Sequence, residues 1–139
     1  MPCLSGKFSP TEGIILSLAC LPPGAWAPET SLEPKYFPAL LDTGASHTCI
    51  SPKVAREVGL LPTGMLQMAS ATHADVTVNT YLIDVGIVIG GAIWWEFTNL
   101  LVLEFQPSAG SPYEMLIGRD VICQGALTIS FDGHYTFSI

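Results

Sequence analysis

Eleven prolines and thirteen glycines divide this chain into short apolar runs, and that division limits its fold more than any other feature. Proline removes a donor and breaks a helix interior, and glycine is costly there, so long packed helices cannot be built from such pieces. Short apolar runs bounded by turn residues make strands, and many of them in one chain predict an all-β fold. Apolar residues make up 49 % of the 139 residues and charged ones 12 %. That is enough to fill one core and too little charge for a disordered chain. A single domain, residues 1–139, is expected, with residues 1–11 a loose or partly paired start around Pro2, Gly6 and Pro10. The low charge also leaves apolar surface to be covered, which points to an oligomer.

Along the chain, residues 13–20 read as a first strand and 21–34 as a proline-rich loop carrying Trp26. Residues 35–41 and 47–50 read as strands. Ser51-Pro52 starts a helix over 53–58, with Ser51 as N-cap, Pro52 in the first turn and Gly59 closing it. Residues 65–69 and 76–83 form a hairpin, the second arm alternating Val76, Val78, Thr80 and Leu82 against Thr77, Asn79, Tyr81 and Ile83. Residues 85–89, 96–103 and 116–117 supply further core strands, and 119–124 a short helix. Residues 126–131 and 135–139 flank Asp132-Gly133, a two-residue hairpin signal.

The charge balance excludes some partners. With a net charge of −7 and five Lys and Arg, no cluster of basic residues exists to neutralise phosphates, so nucleic acid is not expected. Cys3, Cys20, Cys49 and Cys123 lack C-x-x-C spacing, and no zinc set can be drawn from them with His47, His73 and His134. Neither a metal nor another cofactor is expected. Small buried thiols suit a reducing compartment, and the cytoplasm is the expected location. The apolar run 14–20 is too short for a signal segment, and Gly86, Gly90 and Gly91 interrupt 84–95, so no membrane partner is expected.

One stretch calls for chemistry. In Phe37-Pro38-Ala39-Leu40-Leu41-Asp42-Thr43-Gly44-Ala45-Ser46 an apolar strand runs straight into an acid, a hydroxyl and a glycine. A carboxylate at the end of a hydrophobic strand is costly unless something holds it, and Gly44 permits a tight turn whose N–H groups face it. Leu41-Asp42-Thr43-Gly44-Ala45-Ser46 resembles the active-site loop of aspartic proteases. Met115-Leu116-Ile117-Gly118-Arg119-Asp120, followed by a helix, resembles the segment that closes the catalytic domain of retroviral-type members. In that order and spacing the two stretches make the chain similar to the retroviral-type (retropepsin-like) aspartic protease family over most of its length.

The resemblance implies a closed, β-barrel-like retropepsin (acid protease) fold with one or two short helices and an active site at a homodimer interface. It implies hydrolysis of peptide bonds by two carboxylates facing one water. One acts as base; the other, protonated, polarises the substrate carbonyl. This chain has a single Asp-Thr-Gly, so the second carboxylate would be Asp42 of the partner subunit. Asp42 is thereby the implied catalytic residue. Thr43 would bond the partner's loop, Gly44 would let backbone approach the water and substrate, and Ala45 would favour a milder pH optimum. Ser46 stands where retroviral enzymes carry an Asp that pairs with the Arg, so Arg119 needs Asp120 or a backbone carbonyl instead. Gly118, Arg119 and Asp120 are implied to be structural, behind the loop. By its place after the helix, the hairpin over 63–84 is the implied flap, with Ser70, Ala71, Thr72, His73 and Ala74 at its tip. Leu40, Ile50, Val76, Ile89 and Ile117 are the candidate pocket residues. The expected partners are a second copy of the chain and an extended, largely apolar protein or peptide substrate. The competing reading is an inactive peptide-binding or dimerisation module of the same fold.

Overall fold

The computed structural model describes residues 3–25, 32–68 and 76–139. The elements run β1 (Cys3–Lys7), β2 (Ile15–Leu21), β3 (Lys35–Leu41), β4 (Cys49–Ile50), α1 (Pro52–Val58), β5 (Gly64–Met68), β6 (Val76–Ile89), β7 (Ala92–Glu104), β8 (Met115–Ile117), α2 (Arg119–Ile122), β9 (Ala126–Ile129) and β10 (His134–Ser138).

Six strands close on themselves in the order β2–β3–β8–β4–β7–β6, with β6 returning to β2 through the pairs Leu18↔Ile87 to Leu21↔Asp84. Closure removes the open edges that a flat sheet of this length would present. The β3–β8 and β4–β7 pairs are parallel and the others antiparallel. Alternate residues point inward, as the two-residue period of a strand requires. Leu16, Leu18 and Cys20 of β2, Phe37, Ala39 and Leu41 of β3, and Ile83, Val85 and Ile87 of β6 fill the barrel with Met115 and Ile117 of β8. Each large side chain so buried contributes about 1.5–3 kcal/mol. The barrel is the rigid frame on which the Asp42 turn is mounted.

The expected helix forms as read. Ser51 caps it, its Oγ accepting from Val54 N at 3.3 Å, Pro52 occupies the first turn, and Gly59 ends it at φ 83°. Val54, Ala55 and Val58 face the core. β1, β10 and β9 form a separate sheet. Residues 3–7, expected to be loose or partly paired, are a full strand here. They pair from Cys3↔Ser138 to Lys7↔His134, and Leu4 packs on the core beside buried Tyr135 and Phe137. β1 satisfies one edge of β10, while the apolar face of β10, Tyr135 and Phe137, packs into the core with Phe137 against Trp95.

Two more elements differ from the sequence reading. Residues 76–83 and 85–89 are one strand, not two. Between the pairs Ile83↔Leu100 and Val85↔Phe97, Thr98 and Asn99 oppose the single residue Asp84, which is a β-bulge. Asn99 has φ 53°, and its N–H donates to Asp84 Oδ1 at 2.8 Å. A buried Asp that looked like a break is the residue that holds the bend. The strand expected over 47–50 is reduced to Cys49–Ile50, because Thr48 is bound elsewhere. Trp26 and the 70–74 tip lie outside the described residues.

Candidate active site

Strand β3 delivers Asp42 to one end of the barrel. Leu41 N donates to Ile14 O and Asp42 N to Ile117 O, each at 2.9 Å, so the backbone is fixed on both sides up to the acid. The chain then turns. Gly44 N donates to Asp42 Oδ1 at 2.9 Å, and Ala45 N to Asp42 O at 3.2 Å. A β-carbon on Gly44 would stand 3.2 Å from that carboxylate oxygen, tighter than most such contacts, so glycine suits the turn. Asp42 is half-buried, with Thr43 and Gly44 exposed beside it.

The β8–α2 corner braces the turn from behind. Arg119 N donates to Ala45 O at 2.8 Å and Arg119 Nη1 to Thr43 O at 2.9 Å, so one residue holds two carbonyls of the loop. Of the two partners open to Arg119, the backbone carbonyl is the one it takes. Gly118 passes so close that a β-carbon there would sit 2.5 Å from the carbonyl carbon of His47. Asp120 turns to Thr48: its Oδ2 accepts from Thr48 N at 2.9 Å and its Oδ1 from Thr48 Oγ1 at 2.8 Å. Val121 N also donates to Oδ1, and Gly118 N donates to Thr48 Oγ1 at 3.2 Å. Thr48 is the supporting residue that sequence reasoning missed. Nothing local marks it: the burial that obliges its hydroxyl to find partners appears only in the fold.

Removing the Asp120 carboxylate would leave Thr48 N and Thr48 Oγ1 short of an acceptor, while Val121 N keeps Gly118 O at 3.1 Å. Asp120→Ala is therefore expected to cost about 2–4 kcal/mol, read as a lowered melting temperature, with Asp120→Asn recovering part of it. Equal melting temperatures for wild type and Asp120→Ala would show that this cluster does not hold the loop.

Asp42 opens onto a cavity of about 420 Å³. Gly44, Ala45, Ser46 and His47 form one wall; Leu66, Gln67 and Met68 of β5 stand opposite; Cys49, Leu103, Phe105 and Leu116 complete it. Three residues of β5, one arm of the β5–β6 hairpin, thus line the same cavity as Asp42. The five candidate pocket residues are not in this lining. Ile50 and Ile117 are both 0 % exposed and belong to the core, while their neighbours Cys49 and Leu116, paired across β4 and β8, face the cavity. Leu40 is half-buried at Gly13, Ile89 packs against the core, and Val76 lines an adjoining groove.

Ser46 Oγ and His47 Nδ1 lie 3.2 Å apart on the cavity wall. The Cys49 thiol is pushed up to about 12 by burial first, then by the negative charges of Asp120 and Asp42. Burial thus favours the thiol over the thiolate, and Sγ donates to the His47 carbonyl at 3.4 Å rather than to an imidazole. Among the described residues no group of three or more His, Cys, Asp or Glu is placed to hold a metal ion, and no helix is long and apolar enough to cross a membrane.

A family model described as "gag-polyprotein putative aspartyl protease" matches residues 29–124. Among solved structures, the fold is similar to a retropepsin-like aspartic protease from Rickettsia conorii, with a TM-score of 0.51 and 14 % identity over 99 % of this chain and 94 % of that one. The retroviral protease-like domain of Ddi1 from Leishmania major aligns at a TM-score of 0.45 and 14 % identity, over 85 % of this chain and 82 % of that one. No curated protein matches the chain.

Proposed function

This chain belongs to the retropepsin-like aspartic protease family, and we propose that it is itself an active aspartic endopeptidase, cleaving extended, largely apolar peptides as a homodimer. The observation that carries the reading is the braced turn at the floor of the cavity. Asp42 is held by Gly44 N, and its loop by Arg119, where the carboxylate meets both solvent and an apolar wall. In the dimer, Asp42 and Asp42 of the partner subunit face a single water. Two carboxylates at that separation share one proton. The unprotonated one takes a proton from the attacking water, and the protonated one donates to the developing oxyanion of the substrate carbonyl. Collapse of the tetrahedral intermediate breaks the C–N bond: the proton taken from water passes from the dyad to the leaving nitrogen, and the gem-diol hydroxyl returns its proton to the dyad as the new carboxyl forms.

Thr43, exposed at the rim, bonds the loop of the partner, and Ala45 and Ser46 border the bound peptide. Gly118, Arg119 and Asp120 act only by holding the loop. The β5–β6 hairpin closes over the substrate as a flap. Residues 1–139 serve as one catalytic unit per subunit. Cys20 and Cys49 are the buried thiols expected, whereas Cys3 and Cys123 are exposed; all four are free, which fits a cytoplasmic setting.

The test is a peptide-cleavage assay across pH. Because one proton must be on the dyad, and not two or none, kcat/KM should follow a bell centred at mildly acidic pH. Pepstatin-type inhibitors should block it and chelators should not. Activity that climbs steadily into alkaline pH, or that a chelator removes, would contradict the dyad.

A further inference from the structure

The surface beyond the Asp42 cavity continues into two further recesses. A groove of about 630 Å³ shares Met68 and Phe105 with the cavity. Gln106 then lines both this groove and a third recess of about 330 Å³. The groove is mainly apolar, with Met65, Val76 and Val78 in its walls. The third recess is polar, formed where Lys53 and Arg56 of α1 face the loop carrying Ser108 and Ser111.

Its charge is out of keeping with the rest of the chain. The sequence has five Lys and Arg against twelve Asp and Glu, yet two of those five meet in this recess. Lys53 and Arg56 are three residues apart on α1, close enough to act on one ligand group, and both are exposed. The carboxylate in the same wall, Glu114, accepts a hydrogen bond from Ser51 Oγ at 2.6 Å at the helix cap. With a net charge of −7, the molecule as a whole repels acidic polymers, so a two-cation recess is a local exception able to select them.

We propose that this recess is a binding site for an acidic segment of the polypeptide substrate, whose carboxylates meet Lys53 and Arg56 while the scissile bond lies at Asp42. The shared walls at Met68, Phe105 and Gln106 make the track along which one extended chain reaches both. The inference rests on the endopeptidase reading and adds to it a substrate class: an apolar cleavage region flanked, along the same chain, by Asp or Glu.

The experiment uses three peptides with one cleaved core and a tail of Glu, Gln or Lys pairs. Wild type should show a KM about three- to tenfold lower for the Glu tail than for the Gln tail at low salt, with kcat the same and the gap closing at high salt. The double variant Lys53→Gln, Arg56→Gln should lose the gap while cleaving the Gln-tailed peptide as wild type does. Equal KM values for Glu and Gln tails in wild type, or a gap that survives in the double variant, would overturn the proposal. If no Asp42-dependent cleavage is found, the endopeptidase reading fails. The recess is then tested by fluorescence anisotropy of the dye-labelled peptides on the Asp42→Asn protein. Tighter binding of the Glu tail, lost in the Lys53/Arg56 variant, supports the site, and equal binding of the tails rejects it.

Discussion

Asp42→Asn is expected to lower kcat for peptide cleavage by about a thousandfold or more and to leave the melting temperature nearly unchanged. The two halves of this expectation have separate causes. Asparagine keeps a side-chain oxygen where Asp42 Oδ1 accepts from Gly44 N at 2.9 Å, so the turn retains its bond. Arg119 holds Thr43 O and Ala45 O without touching the carboxylate, so the loop retains its brace. The amide, however, neither takes a proton from water nor gives one to a substrate oxygen, and both roles of the dyad are lost together. A purified Asp42→Asn protein with wild-type turnover would remove the mechanism. A protein that binds peptides equally well in both forms and cleaves them in neither would be the inactive binding module.

The second large effect is on assembly. Ile129 is 52 % exposed and Phe131 fully exposed, both on the β9–β10 hairpin, and the outer edge of β9 has no strand beside it among the described residues. An apolar edge of this kind is a template for another strand. Pairing with the same edge of a second copy would cover it and place the subunits about a two-fold axis. A stable interface of about 2,000 Å² would be expected. Ile129→Ser with Phe131→Ser changes residues that the single chain leaves in solvent, so the subunit should still fold. Loss of two apolar anchors should weaken dimerisation about a hundredfold or more. Specific activity should then collapse on dilution while wild type holds. Removing everything after Gln124 is a harsher change, since β10 also carries buried Tyr135 and Phe137; an inactive monomer or an aggregate is expected. A dimer of unchanged affinity in the double Ser variant would place the interface elsewhere.

How much of this was legible in the sequence depends on which physical signal each residue carries. The helix at 52–58 could be read because its start and stop are local: Ser51, Pro52 and Gly59 act on neighbouring backbone groups. The Asp42 turn and the Gly118 corner could be read because their residue types are nearly obligatory for the geometry. The pocket lining was misread by one position at Ile50 and Ile117. On a strand, one residue is the difference between core and cleft, and apolarity alone does not choose, since Cys49 and Leu116 are also apolar. Asp84 was read as a break because local pattern cannot show that Asn99, fifteen residues on, donates a hydrogen bond to its side chain. The partner of Arg119 stayed open between Asp120 and a carbonyl for the same reason. Only the fold brings Thr43 under the guanidinium and Thr48 under Asp120.

Whether catalysis needs Asp42 from both subunits is settled by mixing. Wild-type and Asp42→Asn chains are co-refolded in varied proportion at fixed total concentration, and peptide cleavage is measured at each. With two carboxylates required per site, only wild-type pairs are active, and activity follows the square of the wild-type fraction, about a quarter of full activity at equal proportions. Activity that falls in simple proportion, to about a half at the same point, would mean that each Asp42 works alone, and the shared dyad would be wrong.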